Sequence, residues 1–260
     1  MKILVTNDDS IYAAGLWALA AELKKVGEVV VVAPDREQSA VGTAVTLHQP
    51  LRLTEIKPPL AGIKAYSVEG TPADSVILAL GILEEVGIVF SGINQGANLG
   101  GDVLISGTIG AALQGYFHGL PSVALSVEMG KDMHFEVAAQ LGGLLASKII
   151  SSSLTQNMLL NINLPNLPID KIKRVEITRL ARSGYNDHVQ EGNDGKRKYY
   201  WIVRGEPRWD MGEGTDIRAI KEDKISITPF QEKLNTHRET PFVEGLSSLL
   251  QELNKLRQGV

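Results

Sequence analysis

The sequence predicts an α/β fold in which a mostly parallel β-sheet carries helices on both faces. Three observations point there. Short apolar runs alternate with amphipathic segments over the first two thirds of the chain. The runs Ile3-Leu4-Val5 and Val29-Val30-Val31-Val32-Ala33 lack polar alternation, as strands buried on both faces require. Helix start and stop residues bracket the segments between the strands.

The elements follow in order. Residues 2–6 form the first strand and 28–33 the second. Between them Leu16, Leu19, Ala20, Leu23 and Val26 recur at helical spacing, with Gly27 expected as C-cap. Residues 40–68 hold two or three candidate strands. Thr71 and Pro72 then open a helix with Val76, Ile77, Leu80 and Leu83 as its apolar stripe and Gly87 ending the unit. Ile88-Val89-Phe90 is the next strand, followed by a long loop over 91–102. Ser106 caps the clearest helix, with Ile109, Ala112, Leu113, Tyr116 and Phe117 on one face and Gly119 and Pro121 as its stop. Val123-Ala124-Leu125 is a strand, 133–151 a helix, and Leu159 to Leu164 a strand ended by Pro165.

Residues 182–215 are different. Six Lys/Arg and six Asp/Glu balance there, and Tyr199-Tyr200-Trp201-Ile202-Val203 is the one strand-like run. A protruding hairpin is expected, its aromatics suited to an oligomer contact rather than to RNA. Ile225 to Pro229 reads as a strand. Phe242, Leu246, Leu249, Leu250, Leu253 and Leu256 form a terminal amphipathic helix behind Pro241.

The 260 residues include no cysteine, which excludes disulfides, thiol nucleophiles and Cys-zinc sites, and suits a reducing cytoplasm. A net charge of −4 gives no footprint for nucleic acid. No apolar run approaches the roughly 20 residues of a membrane span, and no signal-peptide core follows Lys2. The five histidines are scattered and form no metal motif.

In open parallel sheets ligands sit beyond the carboxyl ends of the strands, so the residues there carry the chemistry. Asp8-Asp9 follows the first strand, Ser39 lies in the loop after the second, and Asn94 follows the third apolar run. Two adjacent carboxylates in a crevice repel unless a cation neutralises them. With Asn94 and Ser39 the donors are all oxygen, which suits Mg²⁺ or Mn²⁺. Ser106-Gly107-Thr108 opens a helix whose unpaired N–H groups make an anion site. P-loop, dinucleotide and G-x-S-x-G signatures are absent. A metal beside an anion pocket fits hydrolysis of a phosphate monoester, with Asp8 and Asp9 as the catalytic carboxylates.

Two other classes compete. A phospho-receiver also begins with an acidic pair, but needs an acceptor Asp that residues 50–60 do not contain. A non-catalytic nucleotide-binding regulator would bind AMP without releasing phosphate.

Thr6-Asn7-Asp8-Asp9, Ala33 to Ser39, Gly70-Thr71-Pro72-Ala73-Asp74, Ser91 to Asn94 with Asn98-Leu99-Gly100, Ser106 to Ala112, Tyr199-Tyr200-Trp201 and Ser226 to Pro229 together closely resemble the SurE survival-protein family. The resemblance implies a Rossmann-like core and a metal-dependent 5′-nucleotidase acting on nucleoside monophosphates, with 3′-monophosphates and short polyphosphate as further substrates. It implies one divalent ion per subunit held by Asp8, Asp9, Ser39 and Asn94. It also implies a phosphate held by Asn98, Ser106, Gly107 and Thr108 with Asn94 beside it, and a homodimer or homotetramer. Residues 1–181 would be the core, 182–224 the protruding hairpin used in oligomerisation, and 225–260 a strand and helix packed on the core or a partner subunit. The chain departs from the family pattern at Ser10 and Ala40, each in place of a usual Gly. Ala14 stands in place of a usual Pro and Ile105 in place of a frequent Tyr. None of these removes a ligand oxygen.

Overall fold

The computed structural model describes residues 1–151, 157–205 and 208–230. The core runs β1 (Lys2–Thr6), α1 (Ala14–Leu23), β2 (Glu28–Pro34), β3 (Leu53–Ile56), β4 (Lys64–Val68), α2 (Pro72–Ile82) and β5 (Val86–Gln95). A 3₁₀ turn (Gly100–Leu104) precedes α3 (Gly107–Phe117), β6 (Ser122–Val127), α4 (Phe135–Ser151) and β7 (Leu159–Leu164). Then come β8 (Val175–Ile177), β9 (Ser183–Gly184), β10 (His188–Asn193), β11 (Lys198–Val203), β12 (Arg208–Trp209), α5 (Asp216–Lys221) and β13 (Ile225–Phe230). The helix expected over 242–256 lies outside the described residues.

Nine strands form one sheet in the order β3-β4-β2-β1-β5-β6-β7-β13-β8. From β4 to β7 neighbouring strands are parallel; β3 runs antiparallel to β4, and β13 antiparallel to β7. The apolar runs are continuous because alternate residues feed two cores. Ile3 and Val5 face Leu16, Leu19 and Leu23 of α1 and Ala138 and Ala146 of α4, whereas Leu4 faces Val76 and Ala79 of α2 and Ala111 of α3. Each fully buried Leu, Ile or Val contributes about 1.5–3 kcal/mol, so the two-sided burial of β1 fixes its register firmly. The chain leaves β1 for β2 on one side and later places β5 on the other, which opens a crevice at the carboxyl ends of β1 and β5.

Several boundaries differ from expectation for local reasons. α1 stops at Leu23 because Lys25 and Val26 bond back only three residues, leaving Gly27 beyond the cap. Gly87 lies inside β5 rather than ending a helix; the α2 helix ends where Leu83 turns to extended backbone. Phe117, expected on the apolar face of α3, is in the last turn and 62% exposed. β5 continues past Phe90 to Gln95, so Asn94 is a strand residue rather than a loop residue. β10 and β11 pair as the expected hairpin, His188 opposite Val203 and Asn193 opposite Lys198. α5, near the end of the same stretch, returns to the core and buries Ile217 and Ile220 beside Leu99. Among the described residues no helix is long and apolar enough to cross a membrane.

Candidate active site

The crevice is a cleft of about 640 Å³ lined by Asp8, Asp9, Ser39, Asn94, Asn98 and Ser106 among others. Backbone bonds bring the loops together. The Gln38 N–H donates to the Asp8 carbonyl at 2.8 Å, tying the loop that bears Ser39 to the end of β1. On the other side β5 skips register against β6 between Ser91 and Asn94. Gly92 sits in this irregularity with φ of +135°, and a Cβ there would lie 2.3 Å from the Leu125 carbonyl oxygen, so only glycine fits. The irregularity re-aims Asn94 at the cleft, as bulges beside active sites do.

The acidic pair is held tightly. Thr108 Oγ1 donates to Asp8 Oδ1 at 2.6 Å, and the Gln95 N–H donates to Asp9 Oδ2 at 3.1 Å. Burial pushes the Asp8 carboxyl above the usual carboxylate range, against the pull of the Thr108 hydroxyl. Burial first, and the charge of Asp8 second, push Asp9 up to about 6, with Glu37 adding to both. No cation among the described residues offsets either shift.

That uncompensated pair is what a divalent cation would neutralise. Among the described residues no three His, Asp or Glu side chains gather as a ready metal cluster, so neutral oxygens must complete the set. Ser39 could supply one: its Oγ donates to Glu37 Oε1 at 2.6 Å, which leaves the oxygen lone pairs for a cation. Asn94 could supply another, because its Nδ2 donates to the Gly96 carbonyl at 2.7 Å and its amide oxygen is the remaining polar end. The donors are hard oxygens of mixed charge, which suits a hard divalent cation.

The sequence-predicted anion site is the start of α3. Ser106 is the N-cap, its Oγ accepting from the Ile109 N–H at 3.2 Å, and no acidic residue occupies the first turn. A Cβ on Gly107 would come 2.9 Å from the Asp8 Cβ, so glycine is what lets the helix start approach the carboxylate. Gly107 and Thr108 stand behind Asp8, and the Thr108 hydroxyl is committed to it. Asn98 is fixed by a buried amide network: its backbone N–H donates to Asn163 Oδ1 at 2.7 Å, its carbonyl accepts from Asn161 Nδ2 at 2.9 Å, and its Nδ2 donates to Ser126 Oγ at 3.0 Å.

Some cleft residues carried no usable sequence signal. Ala13, Ala14 and Gly15 bring a second helix start, also without an acidic first turn. Asp102 and Arg204 line the rim from segments far apart in the chain, and only the fold joins them. Glu37 lines the same cleft, where its charge adds to the repulsion on Asp8 and Asp9. At Ser10 and Ala40, where glycine was the family's expected residue, φ is +93° and +58°, the left-handed region that explains the glycine preference.

The fold and site define a Rossmann-like α/β protein whose switch-point cleft pairs an oxygen-rich acidic corner with a helix start that has no carboxylate of its own. Residues 3–187 match the family model described as Survival protein SurE, and the chain belongs to that family. It is 50% identical over 238 residues to the 5′-nucleotidase SurE of Dehalococcoides mccartyi strain CBDB1, covering 90% of each chain. It is 42% identical over 255 residues to that of Legionella pneumophila strain Philadelphia 1, covering 97% of this chain and 98% of the other. Among solved structures it resembles the SurE protein of Aquifex aeolicus with a TM-score of 0.78 and 33% identity, over 95% of this chain and all of the other.

Proposed function

We infer that this chain is a metal-dependent phosphomonoesterase that hydrolyses nucleoside 5′-monophosphates to nucleoside and phosphate. The observation that carries it is the uncompensated pair of a buried Asp8 and a half-buried Asp9, facing an α3 start that lacks a carboxylate of its own. Relatives named 5′-nucleotidase at up to 50% identity support the same reading over the receiver and the non-catalytic regulator.

Asp8, Asp9, Ser39 and Asn94 would hold one Mg²⁺ or Mn²⁺ ion per chain. When bound, such an ion neutralises charge on the phosphoryl group and acidifies water. The protein's own groups do the rest. The Gly107 N–H, with Ser106, Asn98 and the Asn94 amide, holds the phosphoryl oxygens and stabilises the charge they gather in the transition state, and Thr108, whose N–H and hydroxyl bond Asp8, sets that carboxylate beside them. Thr108 fixes the rotamer of Asp8, and one carboxylate of the pair accepts the proton of the attacking water. Nucleoside 3′-monophosphates and short polyphosphate present the same terminal group and are proposed as further substrates.

A homodimer or homotetramer is proposed for the assembly. Residues 1–181 serve as its core and 182–224 contribute the hairpin. Trp201 and Ile202 of the hairpin are 64% and 78% exposed, more apolar surface than an isolated ribbon usually shows. Ile202→Glu should lower the mass measured by light scattering; an unchanged mass would exclude the hairpin. The cysteine-free composition supports a cytoplasmic setting.

The activity is tested by measuring phosphate release from a panel of nucleoside mono-, di- and triphosphates. Chelation should abolish release from AMP or GMP, and Mg²⁺ or Mn²⁺ should restore it. Undiminished release in chelator would overturn the metal assignment. Release from no phosphomonoester at all would overturn the reaction.

A further inference from the structure

Arg204, the residue after β11, reaches back from the hairpin into the cleft. It is the one Lys or Arg among the described residues lining it, where the acidic side chains are Asp8, Asp9, Glu37 and Asp102. Its Nη1 donates to Asp102 Oδ1 at 2.9 Å, and the Tyr185 hydroxyl donates to the same oxygen at 2.9 Å. The guanidinium lies over the Tyr185 ring, 4.6 Å from the centroid. Asp102 belongs to the 3₁₀ turn that runs directly into Ser106, so this stack is fastened to the segment that presents the α3 start.

The arrangement suits a flat ligand better than a second phosphate. The guanidinium charge is already paired with Asp102, but its other N–H groups and its outer face are oriented by Tyr185, and the side chain is 49% exposed. Ile105, Met129 and Phe135 line the same cleft and add apolar wall. A cleft of about 640 Å³ accommodates a whole small molecule rather than a lone anion. A planar fork of donors matches the two acceptors on one edge of guanine, and a guanidinium face stacks on aromatic rings.

We propose that Arg204, stacked on Tyr185 and held by Asp102, recognises the purine base of the nucleotide, with guanine as its best match. This rests on the phosphomonoesterase reading above. The O6/N7 edge of the base lies in the plane of the guanidinium and accepts from the N–H groups not given to Asp102, Tyr185 backing the fork from one face, while the phosphate occupies the α3 start.

The test compares kcat/KM for GMP with that for ribose 5-phosphate, which carries the same phosphate but no base, in the full-length protein with Mn²⁺. Arg204→Ala should lower the GMP to ribose 5-phosphate ratio about tenfold, mainly through KM for GMP. Arg204→Lys keeps the charge beside Asp102 and controls for hairpin folding; it should also lower the ratio, because an ammonium lacks the flat fork. An unchanged ratio in both variants, or an equal fall for both substrates, would overturn base recognition. Failure of the wild-type protein to release phosphate from either substrate would overturn the activity instead.

Discussion

The starts of α2 and α3 lie on the same face of the sheet and are built differently. At α2, Thr71 Oγ1 accepts from the Asp74 N–H at 3.0 Å, while Asp74 Oδ2 accepts from the Thr71 N–H at 2.9 Å. Asp74 also accepts from the N–H and hydroxyl of Thr46 at 2.8 and 2.7 Å. This helix carries its own anion and is closed. At α3 the cap is a neutral serine and the first turn has no carboxylate of its own; Asp8 comes from the loop after β1, packs against Gly107 and accepts from the Thr108 N–H and hydroxyl. The dipole is the same at both ends. A helix start becomes a binding site where the sequence withholds the internal carboxylate, and a structural joint where it supplies one.

The hardest way to break the contrast is to give α3 what α2 has. Gly107→Asp would put a carboxylate against Asp8, and phosphate release should fall at least about 100-fold, on the order of 3 kcal/mol. Near-normal turnover, with folding checked by circular dichroism, would mean the α3 start is not used. The converse change is Asp74→Ala. It leaves three donors without their acceptor and should cost about 2–4 kcal/mol in urea denaturation, with turnover per folded molecule retained. Lost turnover without lost stability would erase the division of roles.

A smaller effect concerns pH in chelator-treated protein. Asp9 is raised from 3.8 to about 6, so the folded state binds its proton more tightly than the unfolded state does. Stability should therefore fall as pH rises between about 4 and 6, by about 1–2 kcal/mol after solvent screening. Asp9→Asn should flatten that slope in thermal melts, whereas an unaltered slope would place the repulsion elsewhere. Smallest of all, Ser10→Gly and Ala40→Gly should each relieve left-handed strain and add about 1 kcal/mol. Loss of stability in both would mean their side-chain contacts outweigh the backbone.

Much of this was legible in the residues. Two-sided strands announce themselves as unbroken Val and Ile, Thr71-Pro72 and Ser106 mark helix starts by local chemistry, and Asp8-Asp9 falls where such sheets bind ligands. What stayed hidden depends on distant partners. β5 passes Gly92 because a neighbouring strand tolerates the irregularity, and β8 is a three-residue edge strand that acquires a partner only once β13 inserts beside it. Asp216 reads as an ordinary helix-start acid, yet it accepts from the Gly100 and Ala181 N–H groups at 2.8 and 2.9 Å, joining the loop before α3 to the chain after β8. Arg204 meets Asp102 only because the hairpin folds back. Periodicity sees neighbours at two, three and four residues; it cannot see these.

The central claim is that Asp8 and Asp9 hold a divalent cation beside the α3 start. Calorimetric titration of Mn²⁺ into chelator-stripped protein tests it most directly, with Asp9→Asn alongside. The account predicts one ion per wild-type chain and at least about tenfold weaker binding in Asp9→Asn. Equal Mn²⁺ affinity in the two proteins would contradict it.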